Sequence, residues 1–136
     1  LKHDLANCCN PIPGDRVFGF ITVNEGVKVH KKECPNALSL QSNFAYRIIS
    51  AKWEDSSSDE FTALLKLSGI DNMGIVSDVT QLISNEMSVN INKISFDSDD
   101  GIFTGLISVK VKNKTILNRL VSNLLKLKGI DKVLRQ

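Results

Sequence analysis

Sulfur and aromatic rings are scarce in this 136-residue chain, which holds three cysteines, two methionines, one tryptophan and one tyrosine beside six phenylalanines. Three thiols cannot all pair, so a disulfide framework of the kind that staples small secreted domains is excluded, leaving metal binding, catalysis or burial. No run of about 20 apolar residues is present to cross a bilayer. No basic, apolar and small-residue leader opens the chain, and its start at Leu1 instead of Met suggests a fragment of a longer protein. A cytoplasmic location without membrane contact is expected. Charge of one sign is missing as well. The net charge is +2, with seven Lys and Arg against six Asp and Glu in residues 1–55 and ten against nine in 56–136. Neither half is a polycation, so any RNA contact must rest on a local patch. There is neither a phosphate-cradling glycine loop nor a clustered carboxylate metal site, and no catalytic residue is assigned.

What the chain does contain is unevenly spread. The polar run from Trp53 to Glu60, with three consecutive serines, separates two apolar segments and reads as a linker. It predicts a first module over residues 1–55, a linker over 56–59 and a second domain over 60–136. In the first module Arg16–Thr22 and Gly26–Val29 flank Asn24-Glu25-Gly26, a hairpin signal. Cys34 precedes Pro35 and is expected at or near the N-cap of a short helix reaching about Gln41, followed by a closing strand over Arg47–Trp53.

The second domain is more regular. Phe61, Ala63, Leu65 and Leu67 alternate as a strand, and Ile75, Val76, Val79, Leu82 and Ile83 recur at helical spacing. Val89–Phe96 and Ile102–Val111 are strands joined at Asp99-Asp100-Gly101. The stripe Ile116, Leu117, Leu120, Val121, Leu124 and Leu125 predicts a core-facing helix closed by Gly129, and Ile130–Leu134 a last strand. The order is βαββαβ, so the fold class is α+β: a hairpin and short-helix cysteine module, then a ferredoxin-like antiparallel sheet with both helices on one face.

Every cysteine, with one of the two histidines, lies between Cys8 and Cys34. His30 and Cys34 have the spacing of zinc ligands, and the hairpin could return them to Cys8 and Cys9, giving four soft donors for one tetrahedral Zn²⁺. Such a site would stabilise a module whose core is small. Against this, adjacent side chains diverge, so Cys8 and Cys9 reach one ion only where the backbone turns sharply. Two other readings stay open: buried thiols beside a hydrogen-bonded histidine, and a Cys-His nucleophile pair, for which Asn7 or Asn36 is a thin basis as the orienting group or oxyanion donor. His3 is expected to be solvated. Lys28, His30, Lys31 and Lys32 are expected to gather at the hairpin's end with Arg16 beside them, as a phosphate-binding patch or a solvated basic turn.

Ala6-Asn7-Cys8-Cys9, Pro11 to Asp15, Gly19-Phe20-Ile21-Thr22, Gly26-Val27, and Val29-His30 with Cys34 resemble the conserved-cysteine module, also called zinc-finger or ribosome-intersubunit domain, of RelA/SpoT (p)ppGpp synthetases and hydrolases. In that family an ACT domain follows the module, as the βαββαβ unit does here. The resemblance implies a cytoplasmic regulatory fragment of a stringent-response GTP pyrophosphokinase. It implies Cys8, Cys9, His30 and Cys34 as zinc ligands, and ribosomal RNA and tRNA as partners through Arg16, Lys28, Lys31 and Lys32. Catalytic domains upstream would carry the pyrophosphate transfer and, in some members, hydrolysis.

The loop Gly69 to Val76 resembles the ACT ligand loop. Asn72 is expected to cap the following helix, and Asp71, Asn72, Met73, Gly74, Ile75 and Val76 would hold an amino-acid effector by its carboxylate. Met73 stands where many ACT domains carry proline. The plainer alternative is that Asn72 and Gly74 only cap and turn the chain, with the domain serving dimerisation or docking. The alternative function for the chain is an amino-acid-sensing ACT homodimerisation module acting without direct RNA contact. Asp97 to Gly101 is not a calcium loop, because Gly101 and Ser108 stand where oxygen ligands are needed; Asp-Gly fits a hairpin turn instead.

Overall fold

The predicted hairpin forms, and the rest of the first unit is built around it. In the computed structural model, which describes residues 3–54 and 59–136, the chain divides into two compact units, Leu1–Asp59 and Glu60–Gln136. The serines of the expected linker lie outside the described residues.

In the first unit β2 (Val17–Ile21) and β3 (Val27–Lys31) pair antiparallel, with Phe18 opposite His30 and Val17 opposite Lys31. Thr22 closes the hairpin: its amide donates to the Gly26 carbonyl at 2.8 Å, and its hydroxyl does the same at 2.6 Å. Gly26 takes φ 76°, a left-handed conformation that favours glycine. Two short strands complete the sheet in the order β1-β3-β2-β4. β1 (His3–Leu5) pairs parallel to β3, and β4 (Ile48–Ser50) pairs antiparallel to β2.

Some expectations sharpen here. The helix α1 spans Ala37–Phe44 with Asn36 as its N-cap, so Cys34 lies near the cap and is not the cap itself. Cys34 lies instead in the preceding turn, where its amide donates to the Lys31 carbonyl at 3.0 Å and its carbonyl accepts from Ala37 at 2.9 Å. The closing strand is shorter than expected, Ile48–Ser50: Arg47 belongs to a 3₁₀ turn over Ala45–Arg47, and the pairing with β2 ends at Ser50. His3, expected only as a solvated residue, is exposed but belongs to a strand.

The second unit is β5 (Phe61–Ile70), α2 (Ile75–Gln81, continued by a π-helical turn over Leu82–Glu86), β6 (Asn90–Asp99), β7 (Ile102–Val111), α3 (Lys114–Leu125) and β8 (Ile130–Arg135). Its four strands form one antiparallel sheet in the order β6-β7-β5-β8. Period-two alternation buries Ala63, Leu65 and Leu67 of β5 against Phe103, Ile107 and Val109 of β7. Ile75, Val79 and Ile83, with Leu117, Leu120 and Leu124 of α3, cover that same face. Asn113 caps α3, its Oδ1 accepting from the Ile116 amide at 2.9 Å. Asp100 and Gly101 both have positive φ, as a two-residue hairpin turn between β6 and β7 requires. This is the ferredoxin-like arrangement expected from the pattern. Among the described residues no helix is long and apolar enough to cross a membrane.

Candidate metal centre

Three local structures converge on one point in the first unit. Past the end of β1, the Ala6 amide donates to the Val29 carbonyl at 2.9 Å, extending the parallel ladder by one residue. The chain then makes one helical turn, closed by the Asn10 amide on the Ala6 carbonyl at 3.0 Å, and Asn10 leaves it with φ 47°. Asparagine tolerates that left-handed position better than most residues. Within a helical turn successive side chains are about 100° apart instead of opposed, and this lets Cys8 and Cys9 serve one centre. His30 faces it from β3, and the turn after Lys31 delivers Cys34.

The four donor atoms lie within 4.8 Å of one another. Cys8 Sγ is 3.4 Å from His30 Nδ1 and 3.4 Å from Cys34 Sγ, and Cys34 Sγ is 3.6 Å from His30 Nδ1. A tetrahedral zinc with Zn–S near 2.3 Å and Zn–N near 2.0 Å sets sulfurs roughly 3.8 Å apart and S···N pairs roughly 3.5 Å apart. The three edges therefore have the size of a zinc tetrahedron. The cluster is close enough to bind a metal, and its thiol and imidazole donors select zinc over magnesium or calcium.

Second contacts hold the donors in place. The Lys31 amide donates to Cys9 Sγ at 3.3 Å, which would offset thiolate charge. Phe18 stacks on the His30 ring, centroids 5.4 Å apart and planes at 14°, and Phe20 meets the same ring at 90°, centroids 6.5 Å apart. Ala6, Phe18 and Ala37 enclose the buried Cys9 and Cys34, while Cys8 is exposed. Burial raises the Cys9 thiol to about 12, partly opposed by the Lys31 amide. Loss of water, then the hydrogen bond with Cys34, also raises Cys8. Burial lowers the His30 imidazole. Without a metal, Cys8 and Cys9 are thus protonated and His30 is neutral near pH 7. A thiol held protonated reacts only through its small thiolate fraction, too little for repeated turnover near pH 7 though enough for a single stoichiometric oxidation, which disfavours the Cys-His catalytic reading.

The basic residues do not gather as expected. Lys28 lies on the opposite side of β3 from Lys31, because side chains alternate along a strand. Its ammonium faces Asp4 at 3.6 Å and Glu25 at 3.4 Å, near the far end of the hairpin. Arg16, Lys31 and Lys32 stay together: the Lys32 amide donates to the Arg16 carbonyl at 2.8 Å, and the Arg16 side chain is 3.6 Å from Glu33.

In the second unit Asn72 does not cap α2. Gly74 does, at φ 85°, and the Asp78 amide donates to its carbonyl at 2.9 Å. An asparagine at Gly74 would have to enter the left-handed region, which glycine adopts freely. Asp71 to Val76 line an open cavity of about 900 Å³. Asp71 accepts from the Ser98 hydroxyl at 2.7 Å, Met73 is fully exposed, and Ile75 turns into the core.

Sequence reasoning missed β1, the helical turn under Cys8 and Cys9, and the aromatic packing around His30. Only the last had a signal, since a hairpin turning at Asn24 to Gly26 brings Phe18 opposite His30.

Comparison with known proteins agrees with both halves. Residues 1–54 match the model of the RelA/SpoT RIS domain and residues 57–135 that of the ACT domain. GTP pyrophosphokinase of Escherichia coli K12 is 32% identical over 126 residues, covering 91% of this chain and 17% of that protein. The bifunctional (p)ppGpp synthase/hydrolase RelA of Mycobacterium tuberculosis is 35% identical over 132 residues, covering 96% of this chain and 18% of that protein. The chain thus spans less than a fifth of the length of these relatives. The crystal structure of the ACT domain from Chlorobium tepidum GTP pyrophosphokinase superimposes with a TM-score of 0.52 at 34% identity, over 57% of this chain and 99% of that one. This chain belongs to the RelA/SpoT family and carries its RIS domain followed by an ACT domain.

Proposed function

We propose that this chain is the C-terminal regulatory region of a stringent-response (p)ppGpp synthetase/hydrolase. In this reading a zinc-bearing module over residues 1–55 engages ribosomal RNA and tRNA, a linker follows over 56–59, and the ACT domain over 60–136 relays control to catalytic domains upstream. Those domains would transfer pyrophosphate from ATP to GTP or GDP and, in a bifunctional parent, hydrolyse the product. The reading is carried by the succession of the two family modules along this chain, together with relatives named for this activity that align over more than nine-tenths of it. The three soft sulfurs and one imidazole within 4.8 Å support the zinc.

RNA contact would fall to Arg16, Lys31 and Lys32 beside the metal centre, with Lys28 already paired. No aromatic stacking platform adjoins them in sequence, so backbone and shape recognition is the mode that fits. Reversing two cations, Lys31→Glu with Lys32→Glu in the full-length parent, should weaken ribosome association about tenfold or more at moderate salt and flatten its salt dependence. Basal synthesis should persist. Cosedimentation over a salt series reads both quantities, and an unchanged affinity with an unchanged slope would remove the RNA reading.

A second reading, an amino-acid-sensing ACT homodimer, is favoured by the open cavity at Asp71 to Val76. The helix-free sheet face also exposes Leu106 and Leu134, apolar surface that a second copy could cover. It predicts that one of the twenty amino acids raises the melting temperature of the chain. A complete screen without a shift would dismiss effector binding.

A further inference from the structure

We propose that Cys8 and Cys34 are an oxidant-responsive dithiol, which a peroxide converts to an intrachain disulfide that expels the metal. The release step rests on the metal reading above; the disulfide needs only the two thiols.

The geometry singles out this pair. Their sulfurs are 3.4 Å apart, so forming a bond of about 2.05 Å asks for a closure of roughly 1.4 Å. Cys8 is exposed and lies on a one-turn loop, whereas Cys34 is buried behind it. A small oxidant therefore meets Cys8 first, and Cys34 is in place to resolve the product. Cys9 is a poor competitor: it is buried, its sulfur is held by the Lys31 amide at 3.3 Å, and a bridge to its neighbour Cys8 would close a strained ring.

The chemistry balances with hydrogen peroxide as the two-electron oxidant. The Cys8 sulfur attacks one peroxide oxygen, the O–O bond breaks, and Cys8 becomes a sulfenic acid as water leaves. The Cys34 sulfur then attacks that sulfur, the S–OH bond breaks, and a second water leaves with the Cys34 proton. Where the sulfurs start as metal-bound thiolates, two hydroxides leave instead and are protonated by solvent. Either way two thiols are oxidised and one peroxide is reduced. Cys9 and His30 alone cannot complete a closed tetrahedral site, so the ion departs. A dithiol reductant returns both thiols and the binding capacity.

The test uses the 136-residue chain reconstituted with zinc and treated with one equivalent of hydrogen peroxide, with released zinc followed by a chromogenic chelator. Peptide mass mapping should show a Cys8–Cys34 bridge lacking two hydrogens, with Cys9 still open to alkylation after unfolding. Dithiothreitol followed by zinc should restore the starting state. Cys8→Ser should form no intrachain bridge, and mapping of the unmutated chain decides the matter if that variant fails to fold. A bridge to Cys9, a bridge between chains, or Cys8 overoxidised without a bridge would each overturn the proposal. A chain that never held zinc yet forms the Cys8–Cys34 bridge would sink the metal reading and keep the dithiol. A chain that keeps its zinc without forming a bridge would do the reverse.

Discussion

Replacing Cys34 with serine, or stripping the metal with a strong chelator, is expected to unfold the RIS domain. The buried core around the centre consists of Ala6, Cys9, Phe18, Cys34 and Ala37, so two of its five members are proposed ligands and two are alanines. A structural zinc contributes on the order of 10–16 kcal/mol of apparent binding free energy at pH 7, as much as the whole stability of an ordinary domain. Losing one of four ligands therefore removes most of what holds β1, the cysteine turn and α1 to the hairpin. Amide spectra of residues 3–54 should collapse toward random-coil positions, and elemental analysis should fall from one zinc per chain to none. Metal-free protein with an unchanged melting curve would end the structural-metal reading. Protons compete with zinc for the sulfurs, and burial raises the Cys9 thiol to about 12 and Cys8 in the same direction. The sign follows: affinity should climb as pH rises through neutrality toward the thiol range. His30 adds no protonation cost there, because its imidazole is lowered by burial and already neutral.

Gly69→Ala should be the most damaging single methyl in the ACT domain. β5 carries an irregularity between Ser68 and Gly69, where its pairing with β8 shifts register. A Cβ on Gly69 would run into the carbonyl oxygen of Gly129, while the Ile70 amide donates to that same oxygen at 2.8 Å. Backbone cannot swing aside as a side chain can, so the strands must part, at a cost of about 3 kcal/mol. Gly101→Ala is the control. It has φ 77° and open space around it, so only left-handed strain applies, about 1 kcal/mol. Urea midpoints of the two variants should differ in that order, and equal midpoints would refute the steric argument.

The ACT half was legible because its signals are local. Alternation at Ala63, Leu65 and Leu67, the helical stripe from Leu117 to Leu124, and Asp-Gly between two strands each report a period or a turn that neighbouring residues impose without help. The exception is the entrance to α2, where Asn72 has the better capping side chain but the backbone enters the helix through a left-handed residue. Only Gly74 adopts that without strain. Lys28 and Lys31 were separable from sequence as well, since three residues along a strand change face.

The RIS half divides differently. Its sequence narrowed the possible ligands to three cysteines and two histidines, and the spacing of His30 and Cys34 around a strong hairpin signal favoured Cys8, Cys9, His30 and Cys34 over His3. Whether four donors make one centre was settled by contacts far apart in the chain. A three-residue strand has no period to read, yet β1 pairs parallel to β3 and seats the cysteine turn beside His30. The direction of two adjacent side chains depends on backbone angles that nonlocal hydrogen bonds select. Composition therefore names the donors, and tertiary pairing brings them together.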